Sequence, residues 1–188
     1  MFFVRTNRCN LRCTWCDTTY SFSGGSEIDL NDLVAQSAST WEEWICFTGG
    51  EPLIQAEALE FLEGVSAAGK KILVETSGSV NIRKFTTTRN VFFDMDIKTP
   101  SSGEESSLFA GNLEYLKHGD YVKFVIKNQA DYDFAVDWLG KLGSIEAVFQ
   151  PCGGTDLGWL VESTIRDGIN VRVIPQLHKL IWGERKGV

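Results

Sequence analysis

The chain has no apolar run approaching the roughly 20 residues that span a bilayer. Its opening, MFFVRTNRC, reaches charged side chains too early for a secretory signal. Lysine and arginine are scattered rather than gathered in a stripe, and the net charge is −7. Such a surface argues against a nucleic-acid backbone as partner. The expected setting is therefore cytoplasmic, with no membrane and no nucleic acid. Histidine is scarce: the only two, His118 and His178, stand far from the cysteines, so no local zinc-knuckle spacing exists. Internal repeats, linkers and low-complexity tracts are absent. What remains is a chain of 188 residues, 43% hydrophobic and 23% charged, which reads as one domain over residues 1–188 with a real core.

The cysteines number five, and three of them, Cys9, Cys13 and Cys16, fall within eight residues. A secreted disulfide framework normally uses an even count. Clustered cysteines in a reducing compartment suggest a metal or redox centre instead. Cys46 and Cys152 stand alone in apolar surroundings (WICFT and VFQPC) and are expected to be buried small hydrophobes.

Short β-rich runs alternate with helix-like segments. Strands are predicted at 2–5, 44–48, 71–75, 91–97, 121–126, 147–150 and 170–174. Most are continuous apolar runs, as for strands covered on both faces. Leu30, Leu33, Val34 and Ala38 form a helical stripe with Asp29 placed to cap it, and Leu59, Leu62 and Val65 form another, closed by Gly69. Helices are also predicted near 131–142 and over 157–167, the latter closed by Gly168, and residues 99–107 read as an exposed loop. The alternation predicts parallel βαβ units of the α/β class. Six or seven strands are too few for a closed eight-stranded barrel, so an incomplete, open (β/α) barrel is expected. In such folds sites gather at the C-terminal strand ends. The cysteines, Gly49-Gly50-Glu51-Pro52, Thr76-Ser77-Gly78 and Asp96-Ile97-Lys98 all follow or end strands, and are expected to converge.

The cysteine spacing is Cys9-x₃-Cys13-x₂-Cys16. A [4Fe–4S] cluster takes four thiolates, so three would leave one iron open to another ligand. A structural zinc site would need a fourth protein ligand. Spacing alone leaves cluster, zinc and free thiols as alternatives.

Cys-x₃-Cys-x-aromatic-Cys, with Trp15 as the aromatic, resembles the signature of the radical S-adenosylmethionine (SAM) superfamily, and Thr48-Gly49-Gly50-Glu51-Pro52 resembles its second motif. By themselves the glycines would also suit a tight strand-to-helix turn. The resemblance extends to the 7-carboxy-7-deazaguanine synthase family. It is carried by Phe3-Val4-Arg5-Thr6, CNLRCTWCDTTYSF, Val74-Glu75-Thr76-Ser77-Gly78, Asp96-Ile97-Lys98, Lys123-Phe124-Val125 and the tail PQLHKL, in the family's order along nearly the whole chain. One feature departs from the pattern. Members usually begin with a further strand and a Ser-Ile-Gln-Gly-Glu-Gly-like segment that helps hold substrate, whereas this sequence starts immediately before FVRT.

The resemblance implies a lyase that converts 6-carboxy-5,6,7,8-tetrahydropterin to 7-carboxy-7-deazaguanine with loss of ammonia. The cofactors it implies are a [4Fe–4S] cluster, SAM and Mg²⁺, with an electron donor of flavodoxin or ferredoxin type and a homodimer. By position, Cys9, Cys13 and Cys16 would ligate the cluster. Trp15, Cys16, Asp17, Gly50, Glu51, Asp96, Ile97 and Lys98 would border SAM, and Thr18 would ligate Mg²⁺. Arg5, Thr48, Glu75 and Val188 would contact substrate. Read without the resemblance, Trp15 is equally a core filler, Thr18 a turn residue and Lys98 a surface lysine. An unpaired ammonium would, however, be costly to bury at the end of an apolar strand. Two other functions suit the residues: a glycyl-radical-enzyme activase of the same superfamily, and a non-catalytic zinc-binding module.

Overall fold

A computed structural model describes residues 1–183 and 185. Seven strands form a single sheet in chain order, every neighbouring pair parallel: β1 (Phe2–Thr6), β2 (Trp44–Gly49), β3 (Lys71–Thr76), β4 (Val91–Asp96), β5 (Tyr121–Ile126), β6 (Glu146–Pro151) and β7 (Arg172–Val173). The sheet does not close between β1 and β7. It is the open (β/α) barrel that the spacing of strands predicts.

Crossovers carry α1 (Leu30–Ser39), α2 (Ala58–Ala67), α3 (Gln129–Leu139) and α4 (Leu157–Arg166), and α5 (Leu177–Trp182) follows β7. Local chemistry sets their ends. Asp29 Oδ1 accepts from the Asn31 and Asp32 amides at 2.8 and 3.3 Å, capping α1. Gly69 stands at φ +84° beyond α2 and Gly168 at φ +63° beyond α4, the left-handed position that closes a helix without a Cβ penalty. The third helix begins two residues before the predicted start, because Asn128 Oδ1 accepts from the Asp131 amide and caps it there.

Alternate residues divide the sheet into two faces. One carries Ile45, Phe47, Ile72, Val74, Phe93, Met95, Phe124 and Phe149 against Phe61, Leu62 and Val65 of α2, Tyr132 and Ala135 of α3 and Leu160 of α4, all in one buried cluster. Each fully buried aliphatic there contributes roughly 1.5–3 kcal/mol. The inner face, turned away from these helices, is only in part the second apolar face that the sequence suggests: Phe3, Cys46, Leu73 and Phe92 form one apolar row across it. It carries Arg5, Thr48, Glu75, Asp94, Asp96 and Lys123, opposite one another by strand register.

Residues 99–107 also differ from expectation. Pro100–Ser102 form a 3₁₀ turn, and Thr99 and Ser102 are fully buried. Thr99 Oγ1 donates to the Val125 carbonyl and Ser102 Oγ to the Thr99 carbonyl, at 2.8 and 2.6 Å. Hydroxyls that bond to backbone allow a polar segment to be internal.

Candidate active site

The cysteine loop is shaped by its own backbone bonds. Arg8, at φ +67°, turns the chain out of β1, and its amide donates to the Ser21 carbonyl at 2.6 Å. Arg12 Nη1 donates to the Cys9 and Leu11 carbonyls at 2.8 and 2.6 Å, with its guanidinium over the Phe22 ring. These contacts hold Cys9, Cys13 and Cys16 along one partly exposed loop, all three as free thiols. Burial pushes the Cys9 and Cys13 thiols above the ordinary cysteine range; the Leu11 amide and Lys98 at Cys9, and Lys98 at Cys13, offset this only in part. Metal binding would take thiolates from such a set and release protons. Among the described residues no three Cys, His, Asp or Glu side chains converge on a single-ion site. A [4Fe–4S] cluster takes one thiolate on each iron and needs no such convergence, so a three-thiol loop with a cation beside it fits the group.

The glycines at the end of β2, Gly49 and Gly50, receive this loop. A Cβ on Gly49, which stands at φ +148°, would overlap the Thr6 backbone. One on Gly50 would overlap the Arg8 carbonyl and come within 2.8 Å of Cys9 Cβ. Glu51 lies behind the site rather than on it. Fully buried, its carboxylate accepts from Leu53 N, Thr76 Oγ1, Ser77 N and Ser77 Oγ, joining the ends of β2 and β3. Ile97 likewise turns its side chain into the core with no exposure, so only its backbone faces the strand ends.

Polar side chains fill the inner face below the loop. Thr48 Oγ1 donates to Glu75 Oε2 at 2.8 Å, and register sets Arg5 beside Thr48 and Asp94 beside Glu75. Lys123 Nζ donates to Asp94 Oδ2 and Lys98 Nζ to Asp96 Oδ2, each at 2.8 Å. Lys98 is therefore not a surface lysine: its side chain is 13% exposed and ion-paired. Burial works against the Lys123 ammonium, but Asp94, Asp96 and Glu75 outweigh it and hold its pKa well above the usual lysine range. Burial also penalises Asp96, yet Lys98 and Lys123 hold its carboxyl below the usual range. Asp94 and Tyr121 were not singled out from the sequence. Their signal was period-two spacing, since Asp94 precedes Asp96 by two residues and Tyr121 precedes Lys123 by two.

The remaining candidates surround the loop. Trp15 Nε1 donates to Ser101 Oγ at 2.9 Å. Asp17 Oδ2 accepts from Gln176 Nε2 at 3.2 Å and lies 3.6 Å from His178 Nε2, which ties the PQLHKL tail to the loop. Thr18 Oγ1 lies 3.6 Å from Cys16 Sγ. A cavity of about 520 Å³ opens at the ends of β5 and β6, lined in part by Lys127, Gly153, Thr155 and Trp159. Val188 lies outside the described residues. The cysteine loop, the glycine turn, Glu75 and the Asp96–Lys98 segment are thus gathered at one end of the sheet, as the topology required.

A thiol loop at the head of an open parallel barrel defines the class, and the comparisons agree. The family model described as the Radical SAM superfamily matches residues 3–142. The chain is 47% identical over 189 residues to the 7-carboxy-7-deazaguanine synthase of Thermoplasma acidophilum, covering 100% of this chain and 90% of that one. It is 35% identical over 212 residues to the protein of that name from Koribacter versatilis, covering 99% and 90%. The chain belongs to the radical SAM superfamily and, within it, to the family of 7-carboxy-7-deazaguanine synthases. Among solved structures, Streptococcus suis SuiB bound to S-adenosylmethionine matches with a TM-score of 0.63 at 12% identity, covering 93% of this chain and 49% of SuiB. That likeness concerns the fold alone. No helix among the described residues is long and apolar enough to cross a membrane.

Proposed function

We propose that this protein converts 6-carboxy-5,6,7,8-tetrahydropterin to 7-carboxy-7-deazaguanine with loss of ammonia. The observation that carries the reading is the bonded Thr48–Glu75 pair beside Arg5 on the inner face, below the cysteine loop. Arg5 offers a planar fork to the substrate carboxylate, and Glu75 keeps one oxygen to accept from the guanidine-like edge of a pterin. Cys9, Cys13 and Cys16 would hold the cluster. Trp15, Cys16, Asp17, Gly50, Asp96 and Lys98 would border SAM, with Ile97 contributing backbone and Glu51 supporting Gly50 from behind. The cluster with SAM supplies one-electron chemistry that ordinary side chains lack. The protein's part is to orient the reactants over the charged inner face and to keep water out.

Further parts of the proposal are a Mg²⁺ ion ligated by Thr18, a low-potential electron donor of flavodoxin or ferredoxin type, a homodimer and a cytoplasmic setting. Magnesium keeps several waters and takes few protein ligands, so one threonine oxygen is a suitable contribution. The glycyl-radical activase and zinc-module alternatives are not favoured, because the relatives carry the synthase name along the full chain.

The test is anaerobic reconstitution followed by incubation with the pterin, SAM, Mg²⁺ and a strong reductant. Mass spectrometry should detect 7-carboxy-7-deazaguanine. SAM cleavage to 5′-deoxyadenosine without that product would overturn the substrate assignment and leave the superfamily.

A further inference from the structure

Trp15 is fixed at its edge by a directional chain. Its indole Nε1 donates to Ser101 Oγ at 2.9 Å, and Ser101 Oγ donates onward to Asp131 Oδ2. An indole N–H only donates and an ionised carboxylate only accepts, so the serine hydroxyl between them must do both. Asp131 is fully buried in the first turn of α3. Its Oδ1 also accepts from the Ser101 amide and its Oδ2 from the Lys127 amide, at 2.8 and 2.9 Å.

The same turn receives the loop's backbone. Thr14 N donates to the Ser102 carbonyl at 2.9 Å and Thr14 Oγ1 to the Ser101 carbonyl at 2.6 Å. Lys98 Nζ stands over the Trp15 ring, 5.9 Å from its centroid, which is within cation–π reach. Trp15 lies between Cys13 and Cys16 in sequence, so a swing of its indole would be felt by the backbone that carries two thiols. The two backbone amides would suffice to anchor Asp131 if its role were only to brace the start of α3. The indole bond is the additional feature, and it is aimed at the loop.

We propose that Ser101, braced by Asp131, is a positioning residue that sets the orientation of Trp15 and through it the affinity for SAM. This rests on the radical SAM reading given above. The indole N–H resonance of Trp15, assigned by its loss in Trp15→Phe, reports the bond in the metal-free chain. Equilibrium SAM binding to the reconstituted protein reports the consequence.

Ser101→Ala should move the indole resonance upfield and weaken SAM binding roughly three- to tenfold, the scale of one lost hydrogen bond. The KM for SAM should rise more than kcat falls. Ser101→Thr, which keeps the hydroxyl, should restore both readouts. In a Trp15→Phe background Ser101→Ala should add no further loss. A shifted resonance with unchanged SAM affinity overturns the proposal, as does an equal loss in the Trp15→Phe background. Wild-type protein that binds no SAM refutes the radical SAM reading and the proposal with it, while the indole readout, taken on the metal-free chain, still shows whether the bond exists.

Discussion

Thr48 Oγ1 donates to Glu75 Oε2 at 2.8 Å, from β2 to β3 across the inner face. The bond engages one carboxylate oxygen of Glu75, on the face where Arg5 stands beside Thr48 by register. Thr48→Val is close to isosteric and removes only the donor. Hydrogen bonds to charged groups are worth about 1.5–3 kcal/mol, so kcat/KM for the pterin should fall roughly ten- to a hundredfold. Iron content after reconstitution should not change. Steady-state kinetics with the pterin varied are the check, and an unaltered kcat/KM would remove Thr48 from the substrate site.

Lys123 is the second point of leverage. Glu75, Asp94 and Asp96 share the inner face with Arg5, Lys98 and Lys123, but among the described residues Lys123 alone is ion-paired with Asp94, whose Oδ1 has no hydrogen-bond partner. Lys123→Met should cost about 3–5 kcal/mol of stability, the penalty for stranding a buried charge. The effect should depend on pH. Burial pushes the Asp94 carboxyl up while Lys123 draws it down, so removing Lys123 raises it further. A carboxyl whose folded-state pKa exceeds its unfolded value of about 3.9 binds protons more readily when folded, and therefore favours folding as pH falls. Denaturant melts should show the gap to wild type narrowing from about pH 8 to about pH 5.5. Asp94→Asn should recover part of the loss in the Lys123→Met background. A gap independent of pH would mean that the lost stability is packing rather than charge.

Cys13→Ala is expected to abolish SAM cleavage and leave the far-ultraviolet circular dichroism unchanged. Cys13 is a partly exposed loop residue outside the buried core, so its loss removes a thiolate without opening a core cavity. Wild-type protein should take up roughly four irons per chain, and the variant fewer. Full cleavage by the variant would exclude Cys13 from the ligand set.

Much of this could be read from the sequence because parallel strands separated by helices leave few topologies. The seven strands were legible as β-branched and aromatic runs, and the ends of α1, α2 and α4 from Asp29, Gly69 and Gly168. The cysteine spacing and the glycine turn placed the site at the strand ends. The inner face was less legible. Val91–Asp96 reads as an apolar run, yet register makes Asp94 and Asp96 a pair opposite Tyr121 and Lys123, and only three-dimensional pairing determines which ammonium meets which carboxylate. The role of Glu51 was hidden for a similar reason, since its partners Thr76 and Ser77 lie on another strand end. Ser101 and Asp131 gave no signal at all: thirty residues separate them, and a Ser-rich stretch looks like solvent-exposed loop until its hydroxyls find buried partners.

Gly50 offers a way to disturb the cysteine loop without touching the sheet core. A Cβ there would overlap the Arg8 carbonyl and lie 2.8 Å from Cys9 Cβ. The obstructing atoms are backbone and the root of a side chain, so no rotamer change relieves the clash. Glu51 N donates to that same Arg8 carbonyl at 3.0 Å and Gly50 N to the Thr6 carbonyl at 3.3 Å, which leaves the β2 end little room to retreat. The cysteine loop must then give way, at a cost of about 1–3 kcal/mol for overpacking. Gly50→Ala should therefore fold but load less iron, with the difference visible in the iron-to-protein ratio and in the visible absorbance of the cluster. Gly140→Ala is the matched control, since nothing lies within 4 Å of a Cβ at that position, and its iron content should equal that of wild type. Equal loading of the two variants would show that the close approach of the glycine turn to Cys9 is not what shapes the cluster loop.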